Sequence, residues 1–599
     1  MGTFANILFL LAGRLVRQKK LQGFLVTTAM TIKDRFLAAL SVRSEWLILA
    51  ALTLLIATLS LAPVIRLGAT ALMPDGMLDL ERIGSLLMRR QTVTATLNTL
   101  YIASLSTMLA LIIGTMAGIM TVFTSLRFKQ AWVFAFVLPL MIPPQVTALA
   151  WVQALSPSSP LLSFFNLAIG NGSRHPLYSA SGIIVLLGLY NAPLVYLTLR
   201  ATLRKIPADL LEAARGSGAN PLTVLTTIIL PLARTGLLAG GALAFVSAIG
   251  NFGIQAMLGI PARFPTLMTL IYQKLNSYGT SALSEMALLA LFLSLITSIV
   301  LMANSWLSRR SDVRVSGVGQ PVIWQLGKWG IPVQFFAWGF HVVTLVLPIS
   351  ALIIASMVSG VGQELNWLTI TLDNYYQAVF AQKAIRNAFA TSFMLTTAAT
   401  LVIMVLSLFL AYFLTWKNGF LVRSLQAVSE LTYALPGIVL AVAMILFFLR
   451  PLPFIGVSIY GSAWIIFFAY ISNFLALALR PTLGGFAQID RALDEAAQIS
   501  GASFLRRMAT IIGPLIAPSL FAGGVLVFMS ALNEIQVSIL LVSSSTRTIG
   551  PMIVFLEEGG SSALASAVGC LIVLAIFVMM LVANAFSHKM PKGALPWQN

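Results

Sequence analysis

Runs of about twenty consecutive apolar residues recur along this chain, and they limit what it can fold into more than any other feature. Each run is long enough to cross the hydrocarbon core of a bilayer as an α-helix. Hydrophobic residues make up 58% of the 599 residues and charged residues only 9%, whereas soluble domains carry about 25% charged residues. A soluble fold could not hide so much apolar surface. We therefore predict an all-α polytopic membrane protein.

The positions of these runs predict twelve membrane spans. The even number places both chain termini on the same side of the membrane. The predicted spans lie at residues 46–66, 96–123, 131–155, 180–200, 228–252, 283–307, 333–358, 387–415, 424–449, 462–480, 510–533 and 563–587.

The distribution of charged residues indicates on which side of the membrane the termini lie. The side with the termini holds 25 of the 37 lysines and arginines and the opposite loops hold 11, while acidic residues split evenly. Basic residues concentrate on the cytoplasmic side of membrane proteins, so we predict cytoplasmic termini. Residues 1–45 then form a basic cytoplasmic arm, and residues 588–599 form a cytoplasmic tail. The net charge of +19 is explained by topology, and a nucleic-acid partner is not needed.

An internal repeat organises the spans. Residues 212–241 and 495–524 align without a gap, with 16 of 30 positions identical. Each half contains six predicted spans, so the halves share one orientation and are parallel repeats. We predict a first repeat at 46–307 (core 92–307), a cytoplasmic linker at 308–332, and a second repeat at 333–587 (core 383–587).

The best-matched segment is the loop between the fourth and fifth spans of each half, which is unusual because loops normally diverge fastest. Its sequence predicts a short helix, a turn and a rising helix. The small alanine side chains allow the groove of another protein to approach the helix closely. A glycine in the left-handed conformation then ends the helix. The alternative is a pair of structural turns of common ancestry. The candidate docking residues are Glu212, Ala213, Ala214 and Gly218, with Glu495, Ala496, Ala497 and Gly501 in the second copy.

These two segments resemble the E-A-A-x-x-x-G loop of ATP-binding-cassette importer permeases. The resemblance implies a type I importer permease fold, with the loops docking on a separate ATPase homodimer and a periplasmic solute-binding protein on the other face. It also implies a bacterial inner-membrane location. The chain itself contains no G-x-x-x-x-G-K-[ST] motif, so we expect it to hold no cofactor, with ATP bound by the partner ATPase.

The identity of the substrate rests on a weaker resemblance. The stretch "NFGIQAMLGIPARFPTLMTLIYQKL" at 251–275 is similar to ferric-iron and 2-aminoethylphosphonate permeases, whose halves are also fused. Ferric iron is the leading expectation. 2-Aminoethylphosphonate, thiamine and polyamine are the alternatives.

Polar residues inside or beside the spans are candidates for the translocation path. Glu534 follows the eleventh span, and Asn251 occupies the same position in the first half. A hydrated interfacial acid is the alternative for Glu534, and hydrogen bonding between helices is the alternative for the amides. The candidates are Asn251, Asn533, Glu534, Asn191 and Asn473.

Two other classes of function fit the sequence less well. An ion-coupled secondary carrier can also be a parallel duplication of six spans, but it would need ionisable coupling residues near mid-membrane, which this chain almost lacks. A membrane enzyme would need a catalytic constellation. The sequence offers no such grouping of histidine, cysteine or paired carboxylates, and no spacing typical of metal ligands.

Overall fold

The computed structural model describes most of the two repeats. The first 43 residues, residues 586–599 and the stretch 311–323 lie outside the described part, so the predicted arm and tail and most of the linker are not covered. The described residues are 44–74, 76–165, 174–275, 281–310, 324–360, 367–451 and 456–585.

The described residues form an all-α membrane protein, which confirms the predicted fold class. Nine continuous helices in them are long and apolar enough to span a bilayer, and three bent helix pairs bring the number to twelve. Each predicted span coincides with one of these units. The units are Ser44–Leu72, Arg90–Phe123, Lys129–Met141 with Pro144–Ser163, Ala180–Leu203, Pro221–Leu232 with Arg234–Gly250, Ala282–Ser308, Gly327–Ser356, Lys383–Lys417, Phe420–Ala434 with Gly437–Phe448, Ala463–Phe486, Phe504–Leu532 and Ser562–Val582.

The third span of each half is broken near its middle. The two pieces meet at 103° in the first half and 112° in the second. Pro143 and Pro436 precede the second pieces, with nearly identical backbone angles of φ −55°, ψ 137° and φ −54°, ψ 135°. Proline lacks an N–H group and its ring clashes with the preceding turn, so a helix does not run straight through it. The matched prolines thus place the same break in both halves.

The fifth spans share a second irregularity. A π-helical turn occupies Leu225–Ile229 in the first half and Met508–Ile512 in the second. Each turn lies just before a proline, Pro231 or Pro514. The wider turn accommodates a residue that cannot donate the usual backbone bond. The first-half span also bends by 68° after Pro231, while its counterpart is continuous, and nothing in the structure explains this difference.

Glycines bring the helices of one half close together. A Cβ atom on Gly114 would lie 2.8 Å from the Ala192 carbonyl oxygen, and one on Gly240 would lie 2.5 Å from Thr198 Oγ1. Both contacts involve the fourth span, so the second and fifth spans pack tightly against it. Small residues serve this purpose in membrane helix packing.

The first span of each half packs against the opposite half. Ala62–Leu72 contacts Gly437–Phe448, and Leu347–Ser356 contacts Pro144–Leu155. Ser60 and Ser472 share a hydrogen bond of 2.9 Å across this boundary. The exchange joins the repeats into one body. Shorter helices connect the spans at Leu80–Met88, Ala208–Gly216, Phe252–Gly259, Leu267–Leu275, Asp373–Tyr376, Ala492–Ile499, Ser538–Leu541 and Ile549–Glu558.

Candidate functional site

The two loops that match between the halves each contain a short helix outside the spans. The first loop helix is Ala208–Gly216 and the second loop helix is Ala492–Ile499. Each carries a single buried residue, Leu211 in the first and Asp494 in the second. These positions are equivalent in the repeat alignment. Each loop helix is therefore held to the body along one side, and most of its remaining residues are exposed.

Both loop helices end in the same way. Gly218 has a φ of 83° and Gly501 a φ of 77°, which is the left-handed region that favours glycine. The following N–H groups, of Ala219 and Ala502, each donate to a carbonyl five residues back at 3.0 Å. This bonding pattern is that of a Schellman cap. The glycines of the sequence motif thus terminate two equivalent helices.

The motif glutamates and the first alanine of each motif are exposed. Glu495 forms an exposed ion pair of 2.8 Å with Arg491, one turn earlier on the same helix; an alanine occupies the position of that arginine in the first half. Such a pair contributes little to stability. Exposed motif residues are Glu212, Ala213, Gly218, Glu495 and Ala496, while Ala214, Ala497 and Gly501 are half-buried.

Exposed apolar side chains flank both loop helices at matched positions. Leu210 and Leu493 lie on the helices, and Leu222 and Leu505 lie just after them. Ile499 is 83% exposed at the end of the second loop helix, where the first has a glycine. Apolar groups with polar neighbours outside the membrane are typical of protein contact surfaces. The two surfaces are similar in outline and different in detail.

A buried ion cluster anchors the second loop helix. Arg507 is fully buried, with one guanidinium nitrogen 2.6 Å from Asp494 Oδ2 and another 2.6 Å from Glu45 Oε1. Lys417 Nζ lies 3.0 Å from Glu45 Oε2. The Tyr412 hydroxyl lies within hydrogen-bond distance of both acids, 3.3 Å from Asp494 Oδ2 and 3.5 Å from Glu45 Oε1. Two acids and two bases balance, so no charge in this cluster is left without an opposite partner.

An apolar cluster anchors the first loop helix at the equivalent place. Leu211 and Val224 align with the acid and the arginine of the ion cluster, and both are fully buried. They belong to one apolar cluster with Phe123, against which Trp324 stacks at a centroid distance of 5.7 Å. The backbone N–H of Trp324 also donates to the Phe123 carbonyl at 2.6 Å. Hydrophobic packing thus anchors the first loop helix, where the second loop helix is anchored by ion pairs.

Both anchors cross the boundary between the halves. Glu45 begins the first span but supports the loop helix of the second half. Trp324 precedes the second half but supports the loop helix of the first. Each loop helix is therefore held against the start of the opposite half. The sequence does not predict these anchors, because they join residues that are hundreds of positions apart. One signal was available: the apolar pair Leu211 and Val224 is replaced in the second half by an acid and an arginine, also thirteen residues apart.

Two of the candidate path residues bind backbone N–H groups that follow them in the chain. Asn251 is the N-cap of the helix Phe252–Gly259, and its Oδ1 accepts the N–H of Ile254 at 3.0 Å. The Glu534 carboxylate accepts the N–H groups of Val537 and Ser538, at 2.5 and 3.0 Å. The equivalent side chains thus hold the backbone just after the fifth span of each half.

The remaining candidates occupy different environments. Asn191 Oδ1 accepts the Ser247 hydroxyl at 2.7 Å, which links two spans of the first half. Asn533 Nδ2 donates to the Met141 carbonyl at 2.7 Å, across the halves and at the break of the third span. Asn473 is half-buried in the tenth span. The structure therefore brings Asn533 and Glu534 together at the boundary between the halves and leaves Asn191 within one half.

Comparison with known proteins gives the family. The family described as "Binding-protein-dependent transport system inner membrane component" matches residues 85–313 and again residues 403–592. The two matches cover more than half of the chain and fall one in each repeat. The chain belongs to this family.

Relatives of this permease include transporters with different stated substrates. It is 24% identical over 567 residues to the probable ABC transporter permease y4fN of Sinorhizobium fredii, covering 92% of this chain and 97% of that protein. It is 26% identical over 464 residues to the ferric transport system permease FbpB of Actinobacillus pleuropneumoniae, covering 74% and 64% respectively. It is 32% identical over 235 residues to the putative 2-aminoethylphosphonate permease PhnU of Salmonella typhimurium, covering 38% and 80%.

Solved structures include partial matches. The inward-facing methionine transporter MetNI matches with 22% identity and a TM-score of 0.29, covering 39% of this permease and all of that chain. A bacterial ABC transporter that imports the acidic polysaccharide alginate matches with 17% identity and a TM-score of 0.35, covering 45% and 98%.

Family membership decides between the classes of function. The protein is a multi-pass permease component of an ABC importer that depends on a binding protein. Such permeases work with ATPase subunits and a substrate-binding protein. The alternative of an ion-coupled secondary carrier is therefore set aside.

Proposed function

We propose that the two loop helices are the sites at which this permease couples to an ATPase homodimer. One observation carries the proposal: the same capped helix occurs twice, largely exposed, with one buried residue in each copy packed against the body. A homodimer offers two equivalent grooves, and a fused permease must supply two helices to fill them. ATP-driven closure of the ATPase would then draw the loop helices together and move the two halves between inward-facing and outward-facing states.

The proposal requires both loops to lie in the cytoplasm. The count of 25 lysines and arginines on the side of the loops and termini, against 11 opposite, supports that orientation. The solute-binding protein would then dock on the periplasmic face of a bacterial inner membrane. ATP would be bound by the partner, and this chain would contribute no catalytic residue.

The coupling proposal is tested by removing the loop helices one at a time. We expect deletion of residues 212–218, or of 495–501, to abolish ATP-dependent uptake and to reduce recovery of the ATPase with the tagged permease. Gly216→Ala is the matched control, because it lies in the same helix and a Cβ atom there would meet nothing within 4 Å. Transport that survived both deletions in the absence of the ATPase would contradict the proposal.

For the substrate we propose ferric iron. Support comes from the similarity to a ferric permease over 464 residues, which spans both halves of this chain. A second candidate, 2-aminoethylphosphonate, is favoured by the higher identity of 32% over a shorter stretch of 235 residues.

The two substrates can be separated directly. Proteoliposomes that contain the permease, its ATPase and its binding protein should accumulate ⁵⁵Fe(III) when ATP is supplied. Uptake of ¹⁴C-labelled 2-aminoethylphosphonate in place of iron would contradict the ferric proposal. The same preparation without ATP controls for passive leak and for iron adsorbed to the vesicle surface.

A further inference from the structure

The two halves meet where the breaks of the third spans contact the segments that follow the fifth spans. A Cβ atom on Gly250 would lie 3.6 Å from Gln536 Oε1 and 3.9 Å from Pro436 Cβ, so the first half touches the second here. Asn533 of the second half bonds to the Met141 carbonyl of the first at 2.7 Å. Polar side chains thus lie at the boundary along which a transported solute would pass.

We call the contact between the break of the third span and the segment after the fifth span the junction. In the second half, a hydrogen bond joins the two sides of the junction. Gln536 Oε1 accepts the backbone N–H of Gly437 at 3.2 Å. Gly437 has no side chain to interfere, since a Cβ atom there would lie only 2.7 Å from Gln536 Cβ. The amide comes from the segment after the fifth span, and the glycine comes from the break.

In the first half the same junction has the opposite arrangement. The segment after the fifth span supplies Gly253, and the break supplies Gln145. A Cβ atom on Gly253 would lie 3.2 Å from Gln145 Oε1, and one on Gly550 would lie 3.4 Å from Gln145 Nε2. The Gln145 amide is therefore seated between two glycines, one from each half.

Gln145 is fully buried, and neither polar atom of its side chain has a hydrogen-bond partner among the described residues. Asn533 Oδ1 and Gln255 Oε1 also have no partner there. An unsatisfied buried amide costs about 1–3 kcal/mol per polar group, and most such groups in proteins are paired. Gln145 and Asn533 both lie where the two halves meet, so unpaired polar atoms occur at this boundary.

We propose that Gln145 is a substrate-contacting residue of the permease, and that its side-chain amide hydrogen-bonds to water or hydroxyl groups carried by the solute. This inference rests on the proposed function. The amide offers two donors and one acceptor site, which suits water or hydroxyl ligands around a metal ion.

The test uses Gln145→Met, which preserves the length of the side chain and removes both polar groups. In proteoliposomes with ATPase and binding protein, we expect it to lower ⁵⁵Fe(III) uptake about tenfold. Gln145→Glu should restore uptake to within about threefold of the unsubstituted permease, because it retains acceptor oxygens.

Ile438→Met is the matched control. Ile438 takes the place of Gln145 at the second break and is equally buried, so it reports the effect of repacking alone. Equal losses in Gln145→Met and Ile438→Met, or uptake by Gln145→Met within about twofold of normal, would overturn the inference. Uptake by the unsubstituted permease tests the proposed function separately: if it took up aminophosphonate and no iron, the ferric proposal would fail, and the effect of Gln145→Met would then be measured on aminophosphonate uptake.

Discussion

Arg507 and Asp494 form a buried ion pair of 2.6 Å at positions where the first half carries Val224 and Leu211. Both pairs tie a loop helix to the rising helix that follows it. Breaking one partner of a buried ion pair is costly, whereas replacing both partners by apolar residues is often tolerated. The first half shows that this architecture accepts the apolar solution.

Exchange of the pair provides the first prediction. Arg507→Val alone should destabilise the permease by about 3–5 kcal/mol, because Asp494 is left buried without its partner. The double variant Asp494→Leu/Arg507→Val reproduces the first-half pair and leaves Glu45 paired with Lys417, so it should recover most of that loss. Thermal unfolding of the purified permease measures both. A double variant no more stable than the single one would show that the halves are not interchangeable here.

Glu45 tests the connection between the halves. Glu45→Gln should destabilise the protein, because it removes one carboxylate from buried Arg507 and the partner of Lys417. Glu430→Gln is the control, since the Glu430–Arg480 pair is exposed at a similar distance of 2.8 Å and should contribute less than about 1 kcal/mol. Equal effects in thermal unfolding would contradict a special role for the ion cluster.

The caps of the loop helices give a third prediction. Gly218→Ala and Gly501→Ala should each cost about 1–2 kcal/mol locally, because an L-residue is strained in the left-handed region. At Gly218 a Cβ atom would meet nothing within 4 Å, so the strain is purely in the backbone. We expect weaker stimulation of the ATPase by the permease. Gly216→Ala, within the helix, should be neutral or slightly stabilising; a loss of stimulation there would argue against the cap explanation.

A substitution at Ile499 distinguishes an effect on ATPase docking from an effect on folding. The side chain is 83% exposed, so Ile499→Asp should change the stability of the permease by less than about 0.5 kcal/mol. If this surface seats on the ATPase, a charge there should reduce the amount of ATPase that co-purifies. Gly216→Asp at the equivalent position of the first loop helix shows whether both surfaces are equally sensitive. Normal recovery of the ATPase with Ile499→Asp would remove Ile499 from the interface.

Local patterns were enough to predict the spans, the repeat and the loop helices. Span length follows from bilayer thickness and hydropathy, and a helix end follows from a glycine a few residues away. The signals for a span or a helix end lie within about twenty residues of one another, and the repeat is found by comparing two such local segments. The matched Pro143 and Pro436 were visible too, but the angles of the breaks, 103° and 112°, depend on what the pieces pack against.

The sequence by itself therefore determined the fold class, the family and the position of the loop helices. Only the tertiary structure decided how those helices are anchored and which polar groups meet between the halves. Glu45 and Arg507 are 462 positions apart, and Gln145 is defined by contacts with Gly253 and Gly550 from different halves. Burial and pairing are properties of such distant contacts. An arginine that reads as an ordinary cytoplasmic charge in the sequence is for this reason the buried centre of an anchor in the fold.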